Sequence, residues 1–361
     1  MLRLLSITVV VFALACRSAG AQWTLQDSRT TADLRGVDFV GNGVAWASGT
    51  HGTVLRTEDM GFVWQVCAVP PGADKLDFRG VQAFDANTAI VMSIGSGDQS
   101  RLYKTTDGCQ TWKLLFTNPD KDGFWDAIRA SDPDHIMILG DPVAGHLTFR
   151  SSSDGGKTWK AEATPPSETG EGAFAASNTS LLQEKAGSTC RVPVYFGTGG
   201  PNGARLFSAV YDKAPSCHRS FSAQALPAFP KSASAGIFGL GAGPERSMVA
   251  VGGDYQKPEE RTGAAAYRHG SQGWLPAAQM PGGFRSAAEY YPKHKVWITV
   301  GPNGTDVSTD DGRDWRPLKP AAGDAQDADK RWNALSLPFV VGPKGRIGIL
   351  REDALQHPSH D

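Results

Sequence analysis

The chain has 361 residues, 36 of them Lys or Arg and 37 Asp or Glu, for a formal charge of −1. So even a balance excludes the basic excess typical of a nucleic-acid binder. With 42 Gly and 23 Pro, it is too rich in turn formers for a helical protein and too aperiodic for a collagen-like one.

Residues 1–21 read as an export leader: Arg3, an apolar run over 4–15, and the small-residue end Ala19-Gly20-Ala21. Cleavage there makes Gln22 the first mature residue and predicts a periplasmic or secreted protein. The apolar run is too short to span a bilayer. No later stretch is long and apolar enough, so no membrane span is expected. The competing reading is a lipid anchor on Cys16, in the poor lipid-attachment box Ala13-Leu14-Ala15-Cys16.

After the leader, an eight-residue pattern recurs, S/T-x-D-x-G-x-x-W. Its copies place Asp59, Gly61 and Trp64; Asp107 and Trp112; Asp154, Gly156 and Trp159; and Asp310, Gly312 and Trp315. Successive Trp residues are 48, 47 and 156 positions apart, the last being three periods of 52. A period near 50 over the mature length gives about seven units of a propeller or solenoid. Each unit opens with an aromatic or apolar residue, a variable one, a small one and an apolar one. Leu34-Arg35-Gly36-Val37, Phe78-Arg79-Gly80-Val81, Trp125-Asp126-Ala127-Ile128, Ile237-Phe238-Gly239-Leu240, Phe284-Arg285-Ser286-Ala287 and Trp332-Asn333-Ala334-Leu335 are six openings, with a weak seventh at Gly172-Ala173-Phe174. Short strands divided by Gly/Asp turns follow, an all-β antiparallel pattern. Four strands per unit and seven units predict a seven-bladed β-propeller over 22–351, with 352–361 as a polar tail. The last unit lacks a Trp strand. Gln22-Trp23-Thr24-Leu25-Gln26 supplies one, and its pairing there closes the ring. The glycine-rich stretch 197–203 reads as a hairpin turn.

The S/T-x-D-x-G-x-x-W motif is identified as the Asp box, or bacterial neuraminidase repeat. Its Asp and Ser/Thr hold turn N–H groups, its Gly permits positive φ, and its Trp packs between blades, which makes the motif structural. Cys109 stands in the Gly place of the second copy, so that turn is expected to be distorted. The order of the repeats, with Leu34-Arg-Gly-Val37, Gly197-Thr-Gly-Gly200, Val251-Gly-Gly-Asp254-Tyr255 and Gly301-Pro-Asn-Gly304, resembles the photosystem II stability/assembly factor family over nearly all of the mature chain. The resemblance implies a seven-bladed propeller that assembles or binds a protein rather than catalysing a reaction.

The variable position of each opening lies at the mouth of the central channel. It predicts a polar arc of Arg285, Asn333, Arg35, Arg79 and Asp126 through neighbouring blades. Clustered cations there suit either an internal salt-bridge network or an acidic protein or peptide partner. The loop over 254–261, with Asp254, Tyr255 and Lys257, faces the same side and is the candidate recognition loop. The rival function is glycan hydrolysis of the sialidase type, since those enzymes share the Asp box. It needs an Arg triad, a Tyr nucleophile with an acidic partner and an acid/base Asp. The Arg-Ile-Pro start of that family is missing, and the sequence alone assigns no Tyr/Glu pair to an inner strand. Cys67, Cys109, Cys190 and Cys217 remain after the leader and allow three pairings. Cys190 with Cys217 is the expected disulfide, because the two bracket the fourth repeat, which lacks a good Asp box. No C-x-x-C or dinucleotide fingerprint occurs and the eight His are scattered, so no metal or cofactor is expected. The chain is expected to be a monomer.

Overall fold

A computed structural model describes residues 22–184, 193–211, 219–320 and 325–355. Seven antiparallel sheets follow one another around a ring, four of them built wholly from consecutive strands, and helix among the described residues is confined to three short 3-10 turns. Blade 1 holds Leu34–Gly41, Val44–Gly49, Val54–Thr57 and Gln65–Val66; blade 2 holds Asp77–Ala83, Ala89–Ile94, Arg101–Thr105 and Lys113–Thr117; blade 3 holds Trp125–Ala130, Ile136–Val143, His146–Ser152 and Lys160–Ala161. Blade 4 holds Leu181–Gln183, Val194–Gly197, Ala204–Tyr211 and Arg219–Leu226. Blade 5 holds Ser232–Ala242, Met248–Asp254, Ala265–Arg268 and Leu275–Pro276, extended by the two-residue strand Gly199–Gly200. Blade 6 holds Ala287–Tyr291, Val296–Gly301, Gly304–Ser308 and Arg316–Pro317. Blade 7 takes Ala334–Ser336, Phe339–Val341 and Ile347–Leu350, and its outer strand is Trp23–Gln26, which pairs with Ile347–Leu350. The ring is thus a seven-bladed propeller closed by the strand Trp23–Gln26. Glu352–Leu355, placed in the tail by the sequence, form a 3-10 turn whose Glu352 accepts a 2.8 Å bond from the Tyr291 hydroxyl.

The core lies between blades. Trp64 meets Phe339 of blade 7 at 5.6 Å, Trp112 meets Trp46 of blade 1 at 6.5 Å, and Trp159 stacks on Phe116 of blade 2 at 4.8 Å. Each Asp-box Trp therefore covers the blade before it, as large apolar surface requires when no sheet has a second layer of its own.

The four Asp boxes repeat one hydrogen-bond set. The hydroxyl of Thr57, Thr105, Ser152 or Ser308 donates to the Asp two residues on, at 2.7–2.9 Å. The same hydroxyl accepts the N–H four residues on, at 2.9–3.1 Å, from Gly61, Cys109, Gly156 or Gly312. Cys109 thus makes the glycine's bond at φ 63°, and the expected distortion is absent. In the second and third boxes Thr111 and Thr158 donate their hydroxyls to the Asp at 2.6 Å. Those bonds come first among the causes that hold Asp107 and Asp154 down at about 2.

The disulfide in the described residues joins Cys67 to Cys109. Cys190 and Cys217 lie outside them. Cys67 ends the outer strand of blade 1 and Cys109 sits in the Asp box of blade 2. The equivalent pair one blade earlier is Gln26, whose side-chain amide donates to the Met60 carbonyl at 3.1 Å and crowds Gly61. One blade later it is Leu115 against Gly156. The disulfide is a covalent version of a contact the ring repeats.

A second repeated contact runs along the inner strands. Glu289 accepts from Leu337 N–H at 2.8 Å, Ser336 from Phe39 at 3.0 Å, Asp38 from Ala83 at 2.7 Å and Gln82 from Ala130 at 2.9 Å, each reaching into the next blade. Asp38 is the ionisable acceptor with a cost. Burial pushes its carboxyl up to about 6, against the pull of the Ala83 N–H and of Arg129. A carboxyl raised on folding contributes stability that is complete below its unfolded value near 4 and is lost as pH rises through about 6. Asp38→Asn keeps the acceptor without the charge. It should raise stability at pH 7.5 by on the order of 2–3 kcal/mol and leave it unchanged near pH 3.5, read by urea unfolding. An equal effect at both pH values would contradict the assignment.

Candidate functional site

Inner strands start at one end of the channel. The antiparallel order puts the turn between third and fourth strands, which carries the Asp box, at the opposite end. The top face is therefore built from the inner-strand starts and the turns joining second to third strands.

At that start, register slips by one residue between Leu34 and Gly36, Phe78 and Gly80, Trp125 and Ala127, and Ile237 and Gly239. The residues left out of the ladder are Arg35, Arg79, Asp126 and Phe238. The variable position of the sequence repeat is thus a β-bulge, a device that re-aims a side chain away from the ladder. Asn333 holds the position in blade 7, where its amide donates to the Leu34 carbonyl at 2.8 Å.

Two members of the expected arc are displaced. Leu34, Trp332 and Arg285 each donate N–H to a glycine carbonyl at or near the end of the preceding blade's second strand, Gly342, Gly301 and Gly252, at 3.1, 3.3 and 2.9 Å. Arg285 therefore stands in the apolar place of Leu34 and Trp332, and Ser286 takes the bulge position. Arg285 is 1% exposed and paired with Asp306, also 1% exposed, through an Nε–Oδ2 bond of 2.7 Å and a second contact from Nη2. It also donates to the Phe284 carbonyl at 2.8 Å and to Asn303 at 2.5 Å. It is an internal strut of blade 6, removed from any partner. In blade 4, Gly172 does not open an inner strand; it bridges Gly199, and that strand begins at Leu181.

Residues 173–180 cross the channel instead. Arg79 donates to the Ala175 carbonyl at 2.8 Å, Ile128 N–H to Asn178 at 2.7 Å, Leu240 N–H to the Thr179 carbonyl at 2.9 Å, and the Ser177 hydroxyl to the Ser286 carbonyl at 2.6 Å. Those partners belong to blades 2, 3 and 5 and to the start of blade 6, so the segment spans the axis and floors the top face. The glycine and alanine that follow the bulges make room for it: a Cβ on Gly80 would meet Asn178 at 3.2 Å, and one on Gly239 would meet Thr179 at 2.9 Å.

The electrostatics of the mouth centre on Arg35. Arg79 is held by Asp77 at 3.0 Å as well as by Ala175. Among the described residues Arg35 makes no ion pair within 4 Å, and its buried Nε has no hydrogen-bond partner. Burial, and next the Arg79 charge, lower its pKa, against the raising pull of Asp77 and Asp33. Asp126, expected to offset the cations, is 2% exposed; burial and then the Asp141 carboxylate raise its pKa well above the usual range. Asp141, raised to about 6 by burial, accepts from Ala173 N–H at 3.1 Å.

The recognition loop divides as well. Asp254 is buried; desolvation would raise its carboxyl, but bonds from Ser234 (2.7 Å), Gln256 N–H (3.0 Å) and Ser232 (3.0 Å) hold it below its ordinary value. It fixes the turn and presents nothing outward. Tyr255 is 49% exposed and Lys257 is exposed beside Glu260 at 3.9 Å. Sequence reasoning missed the aromatic half of the face. Phe174 stacks on Phe238 at 3.9 Å, and Phe238 meets Phe284 edge-on at 4.7 Å and Tyr255 at 6.0 Å. A separate cavity of about 520 Å³ between the blade 7 turn at Pro343, Lys344 and Gly345 and the connector after Gln26 contains Arg331 and Arg346. Both are tied to Asp327, at 3.3 and 3.5 Å. Among the described residues no cluster of three or more metal-ligating side chains forms, and no helix is long and apolar enough to cross a membrane.

Fold and face define an Asp-box seven-bladed propeller with a cationic, floored mouth. The family model described as photosynthesis system II assembly factor YCF48 matches residues 15–188, a little under half of the chain, and the chain is similar to the propellers of that family. No curated protein matches it. A structure described as YCF48 bound to D1 peptide is similar at 16% identity and TM-score 0.62, covering 92% of this chain and 97% of that one. YCF48 from Cyanidioschyzon merolae is similar at 16% identity and TM-score 0.61, covering 92% and 99%. The GH74 xyloglucanase from Xanthomonas campestris shares 15% identity at TM-score 0.61, over 92% of this chain and 54% of the enzyme.

Proposed function

We propose that the protein is an exported, non-enzymatic binding module that holds an acidic segment of a protein partner at the mouth of the propeller. The observation that carries this reading is Arg35, a half-buried guanidinium whose buried Nε has no hydrogen-bond partner and which makes no ion pair within 4 Å among the described residues. The peptide in the YCF48 structure supports a peptide as the kind of partner. The leader and the Cys67–Cys109 disulfide support export, since disulfides persist in oxidising compartments. Glycan hydrolysis gains nothing from the site: the carboxyl pair at the mouth includes Asp126, which is too buried to meet a sugar.

The test is capture of envelope proteins on immobilised residues 22–361. Arg35→Ala should fold normally and lose roughly tenfold or more in capture, the effect of a charge-assisted bond. Capture by the parent chain should also weaken as salt rises. Undiminished capture by Arg35→Ala at low salt would overturn the reading.

A further inference from the structure

Resting on the top-face reading above, the mouth has a second chemistry. One repeat position supplies Arg35 and Arg79 in blades 1 and 2 and Phe238 in blade 5. The floor segment joins the two halves. Arg79 bonds the carbonyl of Ala175, and the adjacent Phe174 stacks on Phe238. Tyr255, 49% exposed, extends that stack outward. A guanidinium with no ion pair within 4 Å among the described residues is therefore joined, through Arg79 and the floor segment, to an aromatic surface that is open on one side. Arg35 attracts a carboxylate, and Tyr255 with Phe174 offers an apolar ring face of the kind that prefers another ring or a large aliphatic group.

We propose that the face recognises an extended peptide by two side chains together: a carboxylate at Arg35, and an aromatic or large aliphatic residue on Tyr255 and Phe174. The two side chains are proposed to stand three to five residues apart, about 10–16 Å of extended chain at about 3.3 Å each. The floor at residues 173–180 keeps such a peptide lying across the mouth, since the axis beneath is filled.

A random-peptide phage library selected on residues 22–361 is the experiment, followed by fluorescence anisotropy of enriched peptides. Enriched sequences should pair Asp or Glu with Phe, Tyr, Trp or Leu three to five residues away. Arg35→Ala should weaken them roughly tenfold or more and abolish their preference for Glu over Gln. Tyr255→Ala should weaken them about three- to tenfold, and only when the apolar residue is present. Enrichment of acidic residues alone, or affinity indifferent to Tyr255→Ala but lost in Arg35→Ala, would overturn the two-part proposal and leave the acidic-partner reading standing. Affinity indifferent to both variants would overturn both, and a selection without enrichment counts against the proposal.

Discussion

Removing the Cys67–Cys109 disulfide should destabilise the propeller by about 4 kcal/mol, the loop-closure entropy of a cross-link spanning 42 residues. The bond ties the outer strand of blade 1 to the Asp box of blade 2, where neighbouring blades rely on Gln26 against Gly61 and Leu115 against Gly156. The variant should be Cys67→Ser with Cys109→Gly, because Cys109 sits at φ 63° and glycine keeps its turn. Its melting temperature should fall by roughly 5–10 °C, and the parent chain under reductant should follow it. Peptide mapping without reductant should recover Cys67 linked to Cys109, and Cys190 linked to Cys217. A reduced parent chain that melts with the oxidised one would contradict the first linkage as a staple.

Breaking the Arg285–Asp306 pair should cost about 3–5 kcal/mol from either side, since one charge is then left buried and unpaired. Asp306 has little else to neutralise it: it accepts Gly282 N–H at 3.2–3.3 Å besides the guanidinium. Arg285→Ala and Asp306→Ala should each lower the denaturant midpoint strongly. The double change to Met and Leu should recover much of the loss, because an apolar pair fits the place that Leu34 and Trp332 fill in other blades. At temperatures where Arg285→Ala is folded, its capture of the partner should match the parent chain. Additive losses in the double variant would show that the pair is not the unit.

The repeat made the blades, the ring closure by Trp23–Gln26 and the Asp-box turns legible, because each is dictated by a local pattern of turn chemistry and buried Trp. The bulge position was legible at Arg35, Arg79, Asp126, Phe238 and Asn333, where the next residue is Gly or Ala and the one before is apolar. It failed at Phe284-Arg285-Ser286-Ala287, where Ser286 and Ala287 are both small and either frame fits. Only the backbone bond from Arg285 to Gly252 decides it. The floor over 173–180 breaks the repeat, and a break carries no pattern to read. The Cys67–Cys109 disulfide was not read because its residues stand 42 positions apart and on different blades; they occupy a contact that the neighbouring blades repeat with Gln26 against Gly61 and Leu115 against Gly156.

Hydroxyl-radical footprinting of the chain with and without its captured partner tests the central claim most directly. The account predicts protection at Arg35, Tyr255 and Phe174 on the top face, with the Asp-box turns at Asp59, Asp107, Asp154 and Asp310 unchanged. Protection of those turns, with the mouth left as reactive as in the free chain, would contradict it.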